Sequence, residues 1–145
     1  MKKRYAMSTR PRAAALAFAF LAPAVISLAA WGAEVPVALT GDQEVPPVTT
    51  AAKGTGTISI GNDRAVSGSV STTGIEATAA HIHEAAAGKN GGVIVPLVKS
   101  GDKWAVPPNA KLTEAQYKAF QAGELYVNVH SAAHKDGEIR AQLKP

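Results

Sequence analysis

The four histidines of this 145-residue chain fall in two close pairs. His81 and His83 are separated by one residue in "AAHIHE", and His130 and His134 lie together in "NVHSAAH". Imidazole nitrogens bind Zn, Cu, Ni and Fe ions, and the chain has no cysteine that would offer a thiolate. The pairing therefore predicts a metal site of nitrogen donors, with His81, His83, His130 and His134 as its ligands.

The absence of cysteine narrows the identity of the metal. Blue-copper and iron–sulfur sites both need cysteine and are excluded. Three or four histidines suit Cu(II) in tetragonal geometry or Zn(II) in tetrahedral geometry. We rank a copper ion first, because the chain carries the export signal described below, and zinc second. Binding is expected to weaken as the pH falls and the imidazoles take up protons.

Other residues that do chemistry are few. The chain has no cysteine nucleophile and no G-x-S-x-G motif for a serine nucleophile. "GKNGG" (88–92) lacks the spacing of a phosphate loop and is predicted to be a turn. Glu84 is an oxygen ligand, a group that supports the ligands or a solvated side chain, and Arg140 is expected to form a surface ion pair. No catalytic residue is predicted, which leaves enzymatic activity open and makes a non-enzyme the expectation.

Strands are the elements predicted to position the histidines. Side chains at positions i and i+2 of a strand lie on the same face. His81 and His83 therefore share a face, while the isoleucine between them faces the other way. In "YVNVH" (126–130), the same alternation places His130 on a polar face and the two valines in the core. His134 follows in the loop after that strand.

The remaining sequence predicts an all-β fold. Short apolar or alternating runs recur between clusters of Gly, Pro, Asn and Asp. This pattern is typical of an immunoglobulin-like or Greek-key β-sandwich, here of about seven or eight strands. One short helix is predicted near 113–122, where Thr113 and Gln116 fit a capping box, Gly123 ends the helix and Phe120 points inward.

Residues 1–33 have the pattern of a secretory signal peptide. Five basic residues and no acidic ones accompany an apolar run at 13–30, and small residues follow it. We expect cleavage near Gly32 or Ala33, or else at Ala29, with an uncleaved membrane anchor as the alternative. The remaining domain, 34–145, is then periplasmic or secreted and has no membrane span. It keeps 10 basic residues against 11 acidic ones, so its charge predicts no nucleic-acid partner.

Three segments carry a resemblance to a known family. They are "LTGDQEVPPV", "AAHIHEAAAGKNGGVIVPL" and "LTEAQYKAFQAGELYVNVHSAAHKDGEIRAQL". Together they resemble the CHRD domain, which is named for chordin and also occurs alone in exported bacterial proteins. The resemblance extends from about Val37 to Leu143 and implies a single CHRD domain at 34–145. It also implies an immunoglobulin-like β-sandwich or barrel, without a defined biochemical role.

A second resemblance concerns the histidines alone. "HIHE" and "VNVHSAAH…GEIRAQL" look like the copper-binding strands of Cu,Zn superoxide dismutase. This likeness implies that His81, His83 and His130 bind copper and that Arg140 guides the anionic substrate. The zinc ligands and the two disulfide cysteines of that enzyme have no clear counterpart in this sequence.

The sequence thus predicts an exported CHRD-domain protein that binds a transition metal, most readily copper, for storage, transfer or tolerance. Two alternatives stay open. One is a non-catalytic extracytoplasmic interaction module, whose histidines form only hydrogen bonds. The other is a redox enzyme of the dismutase type. The metal ion is the predicted partner, and the sequence identifies no partner protein.

Overall fold

The computed structural model describes residues 32–145, in which two antiparallel sheets pack face to face. The elements in chain order are β1 (Ala33–Leu39), a 3-10 turn (Gly41–Gln43), β2 (Lys53–Ile60), β3 (Val66–Thr73), β4 (Ala77–Glu84), β5 (Gly92–Pro96), β6 (Val98–Ser100), β7 (Lys103–Ala105), α1 (Glu114–Gln121), β8 (Leu125–Ser131) and β9 (Ile139–Leu143). One sheet has the strand order β1-β2-β3-β7-β6 and the other has the order β5-β4-β8-β9. The predicted all-β sandwich is confirmed.

The predicted signal peptide falls almost wholly on residues outside the described part of the chain, which begins at Gly32. The division at residue 33 therefore stays a prediction. Within residues 32–145, no helix is both long and apolar enough to cross a bilayer.

The strand count exceeds the prediction because the chain changes sheets near Pro96. The β-branched run "VIVPLV" (93–98) has the composition of a single strand, but β5 ends at Pro96 and β6 begins in the other sheet at Val98. Proline has no N–H to donate to a ladder, so a strand end is a favourable place for it. The β6–β7 hairpin was not predicted, since strands of three residues are too short to show an alternation.

The helix forms where the sequence predicted it. Thr113 Oγ1 accepts a hydrogen bond from the Gln116 backbone N–H (3.2 Å), and Gln116 Oε1 accepts one from the Thr113 N–H (2.8 Å). This reciprocal capping box satisfies two N–H groups at the helix start. Phe120 is 2 % exposed and belongs to the core, while Gly123 follows the helix with φ of +73°.

Strand β8 is buried on both faces, so the histidines on the outer side of its sheet lie in a partly enclosed layer. Its alternate residues Leu125, Val127 and Val129 are fully buried in the core between the sheets. The residues between them lie on the outer face of the four-stranded sheet and are also buried. On that face they form a second interior, which we call the polar layer, made of Glu44, His81, His83, Tyr126, Asn128, His130 and Arg140.

Candidate metal site

Antiparallel pairing of β4 with β8 brings three histidines together. Ala79 pairs with His130 and His83 pairs with Tyr126, so His81 lies between the other two imidazoles. Ring centroids are 4.8 Å apart for His81 and His130, 5.5 Å for His81 and His83, and 6.2 Å for His83 and His130. One nitrogen from each ring lies within 4.8 Å of the others. The three are therefore positioned to hold a metal ion.

His83 has one nitrogen in use and one free. Its Nδ1 donates a hydrogen bond to the Gly91 carbonyl oxygen at 3.0 Å. Because a carbonyl only accepts, Nδ1 carries the proton and Nε2 carries the lone pair. His83 is 7 % exposed, and its Nε2 is buried without a hydrogen-bond partner. A buried nitrogen lone pair without a partner is a ready metal ligand.

His130 is held in the same way. Its Nδ1 donates to the Lys135 carbonyl oxygen at 2.8 Å, which leaves the lone pair on Nε2. That Nε2 lies 3.0 Å from Nδ1 of His81, which donates to it. Histidines that bind metals commonly donate their second ring N–H to a carbonyl, which fixes the tautomer and the ring orientation. His83 and His130 both have this support before any ion binds.

The electrostatics of the group keep two of its imidazoles neutral. Burial lowers the pKa of His81 below its usual 6.5, and charge on His130 and His83 lowers it further. Burial also lowers the pKa of His83, against the opposing effect of its hydrogen bond to Gly91. Since a metal competes with protons for the lone pair, a lowered pKa leaves these ligands available near neutral pH.

The fourth histidine lies outside this group. His134 is in the loop between β8 and β9, where its backbone N–H donates to Ser131 Oγ and its carbonyl accepts from Gly137 N–H. The suggestion that His134 is a ligand stays a prediction from the sequence alone. Glu84 is exposed and is not part of the group either.

Arg140 is buried, so the expected surface ion pair is wrong. The residue is 1 % exposed, and its Cζ lies 3.4 Å from the centroid of the Tyr126 ring. Its guanidinium donates to Asn90 Oδ1 and Gln142 Oε1, both at 3.3 Å. Within residues 32–145, the ion pair between Lys118 and Glu114 is the only one, so Arg140 has no carboxylate in direct contact. Burial beside Tyr126 also gives no support to the anion-guiding role.

Glu44 is a member of the polar layer that the sequence did not reveal. It is 4 % exposed, and its Oε1 has no hydrogen-bond partner. Burial raises the pKa of Glu44 to about 7, against the opposing effects of Arg140 and a hydrogen bond from Asn128. Gly137 packs closely here, because a Cβ at that position would collide with both side chains. An acid in the proline-rich "GDQEVPPV" carries no local signal of burial.

The loop 85–91 connects the histidines to the rest of the layer. The Gly91 carbonyl accepts from His83, and its N–H donates to the Tyr126 hydroxyl at 3.2 Å. Asn90 accepts from Arg140 and donates to the Val45 carbonyl at 2.7 Å. A turn is present at residues 87–88, where it overlaps only the first residue of "GKNGG" (88–92), and the residues after it orient the site.

Comparison with known proteins identifies one domain family. The CHRD domain matches residues 35–143, which contain His81, His83 and His130. No curated protein and no solved structure shows significant similarity to the chain. The matched range agrees with the resemblance seen in the sequence and covers most of the chain. The chain therefore belongs to the CHRD-domain family.

Proposed function

We propose that this chain is an exported CHRD-domain protein that binds a transition-metal ion through His81, His83 and His130. The observation that supports the proposal is the Nε2 atom of His83, which is buried, has no partner and belongs to the convergent group. Leaving a buried polar atom unpaired costs about 1–3 kcal/mol. A bound ion would remove that cost at His83, and at His130 Nε2 it would take the place of the hydrogen bond from His81.

Copper is our first choice of ion and zinc the second. Three imidazoles without a carboxylate or thiolate suit both metals. The family consists of extracellular-type domains, and residues 1–33 resemble a signal peptide. Both support a location outside the cytoplasm, where exported copper proteins act. Storage, transfer or tolerance of copper is the role we assign, in the periplasm or outside the cell. We propose no turnover, because the buried Arg140 is not placed to guide an anion.

Competition titration tests this proposal. Untagged protein is titrated against chromophoric chelators with Cu(I), Cu(II) and Zn(II), alongside the variants His81→Ala, His130→Ala and His134→Ala. We expect one ion per chain. Loss of a single ligand is expected to weaken binding more than about 100-fold, since loss of ligand support alone costs 10–100-fold.

His134→Ala tests the fourth ligand predicted from the sequence, because it removes an imidazole from the adjacent loop and not from the group. Affinity equal to that of the unaltered protein would limit the ligands to three, and weaker binding would add His134. Binding weaker than about 1 mM, or equal affinity in the His81→Ala and unaltered proteins, would contradict the proposal. A metal-free protein that instead captures one specific partner would favour the interaction module.

A further inference from the structure

The three histidines would bind an ion without neutralising its charge. The group offers neutral imidazoles only, with no carboxylate or thiolate among its members. An ion bound there would keep its full charge, because no ligand neutralises it. Formal charges buried nearby then decide which ions the site tolerates, since buried charges are screened far less than exposed ones.

Arg140 is a buried cation that is separated from His83 by the ring of Tyr126. Strand β8 runs between β4 and β9, and Tyr126 of β8 contacts His83 from one neighbour and Arg140 from the other. Arg140 is 1 % exposed, so little water separates its charge from the histidines.

The counter-charge to Arg140 is incomplete. No carboxylate lies within 4.0 Å of the guanidinium among residues 32–145. Glu44 is the acidic side chain that acts on it electrostatically, and burial raises the pKa of Glu44 to about 7. A carboxyl group with that pKa is largely protonated below pH 7. The polar layer around the site therefore carries net positive charge over this range.

We propose that Arg140, acting across Tyr126, is a specificity-determining residue that makes the three-histidine site favour monovalent Cu(I) over the divalent ions Cu(II) and Zn(II). This inference rests on the proposed metal-binding function. A fixed positive charge repels a divalent ion twice as strongly as a monovalent one. At about 10 Å and an effective dielectric constant of about 20, one added unit of ionic charge changes affinity about tenfold.

Arg140→Met tests the inference, because methionine keeps an unbranched apolar side chain and removes the charge. Affinities for Cu(I), under anaerobic reducing conditions, and for Zn(II), which is redox-inert, are measured by chelator competition. We expect the preference for Cu(I) over Zn(II) to fall about tenfold. Lys103→Met is the matched control, because it removes an exposed positive charge from β7 in the other sheet and should leave the preference unchanged.

Glu44→Gln should change the preference for Cu(I) over Zn(II) in the opposite direction to Arg140→Met. At pH 8, where Glu44 is mostly ionised, the substitution removes negative charge beside Arg140, so Zn(II) should weaken relative to Cu(I). Equal changes in both affinities would mean that Arg140 only supports the fold and would overturn the inference. If Arg140→Met does not fold, an unchanged preference in Glu44→Gln at pH 8 overturns it as well. An unaltered protein that binds neither ion contradicts the proposed function itself.

Discussion

The imidazole of His83 stacks on the phenol ring of Tyr126, with the planes 3° from parallel and the centroids 4.8 Å apart. The two residues are direct partners in the β4–β8 ladder, so the stack follows from the strand register. The same phenol contacts the Arg140 guanidinium, and its hydroxyl accepts the N–H of Gly91. Tyr126 therefore joins the histidines, the buried cation and the loop 85–91.

Two substitutions of Tyr126 should distinguish the contribution of its ring to stability from that of its hydroxyl. Tyr126→Phe keeps the stacking and removes one hydrogen bond, so we expect a loss of about 1 kcal/mol in the free energy of unfolding. Tyr126→Leu also removes the aromatic stack and the cation–π contact, and we expect it to cost about 2 kcal/mol more. Urea unfolding measures both. Equal losses in the two variants would show that the ring contacts contribute little.

Two neighbouring glycines offer a matched test of the loop. A Cβ at Gly91 would overlap the backbone oxygen of Glu84, whereas one at Gly92 would meet nothing within 4 Å. Gly91→Ala should therefore shift the backbone that orients His83, cost about 1–3 kcal/mol and weaken metal binding. Gly92→Ala should stay within about 0.5 kcal/mol and bind metal normally. Thermal unfolding and chelator competition check the pair, and similar behaviour of both variants would contradict a role for Gly91 in the site.

The local part of the site could be predicted from the sequence. Side-chain alternation is a property of a single strand, so the shared face of His81 and His83 and the polar position of His130 followed from their spacing. The capping box at Thr113 is equally local. Which strand pairs with which is not local, however. His81 and His130 meet across 49 residues of chain, which was suggested by the clustering of histidines and by the resemblance to the dismutase strands, not by any local pattern.

Burial of the charged residues could not be predicted in the same way. Arg140 alternates with apolar residues in β9, which is also the pattern of an exposed strand face. Its burial depends on loops from elsewhere in the chain, including Asn90 and the segment that carries Glu44. Glu44 follows a short turn in a proline-rich segment whose docking is a tertiary event. The outer face of β8 is therefore an interior that strand periodicity alone would assign to solvent.

Metal affinity should begin to fall only at pH values below the usual pKa of histidine. Burial lowers the pKa values of His81 and His83 from 6.5, so these imidazoles remain unprotonated at pH values where an exposed histidine is charged. We expect little change in affinity between pH 8 and 6.5. Below their pKa values, each ligand that must lose a proton weakens binding about tenfold per pH unit. Chelator competition from pH 8 to 4.5 measures this profile, and a steep loss already above pH 6.5 would contradict the neutral-imidazole site.

Stability of the metal-free protein should reveal two opposing effects between pH 4.5 and 7. The pKa of Glu44 is raised from 4.5 to about 7, so in this range the folded state binds more protons than the unfolded state and stability falls as the pH rises. The lowered pKa values of His81 and His83 act in the other direction. Below 6.5 the unfolded state binds more protons at these histidines, so stability rises with pH.

Glu44→Gln removes the first effect and leaves the second. The stability of Glu44→Gln relative to the unaltered protein should therefore increase as the pH rises from 4.5 to 8, by a few kcal/mol at most, since one pKa unit corresponds to about 1.4 kcal/mol. Urea titrations at fixed pH values measure the difference. Glu124→Gln, at an exposed position, should run parallel to the unaltered protein. A Glu44→Gln difference that stays constant with pH would mean that this carboxyl group titrates normally, and the polar layer would then carry a full counter-charge to Arg140 at neutral pH.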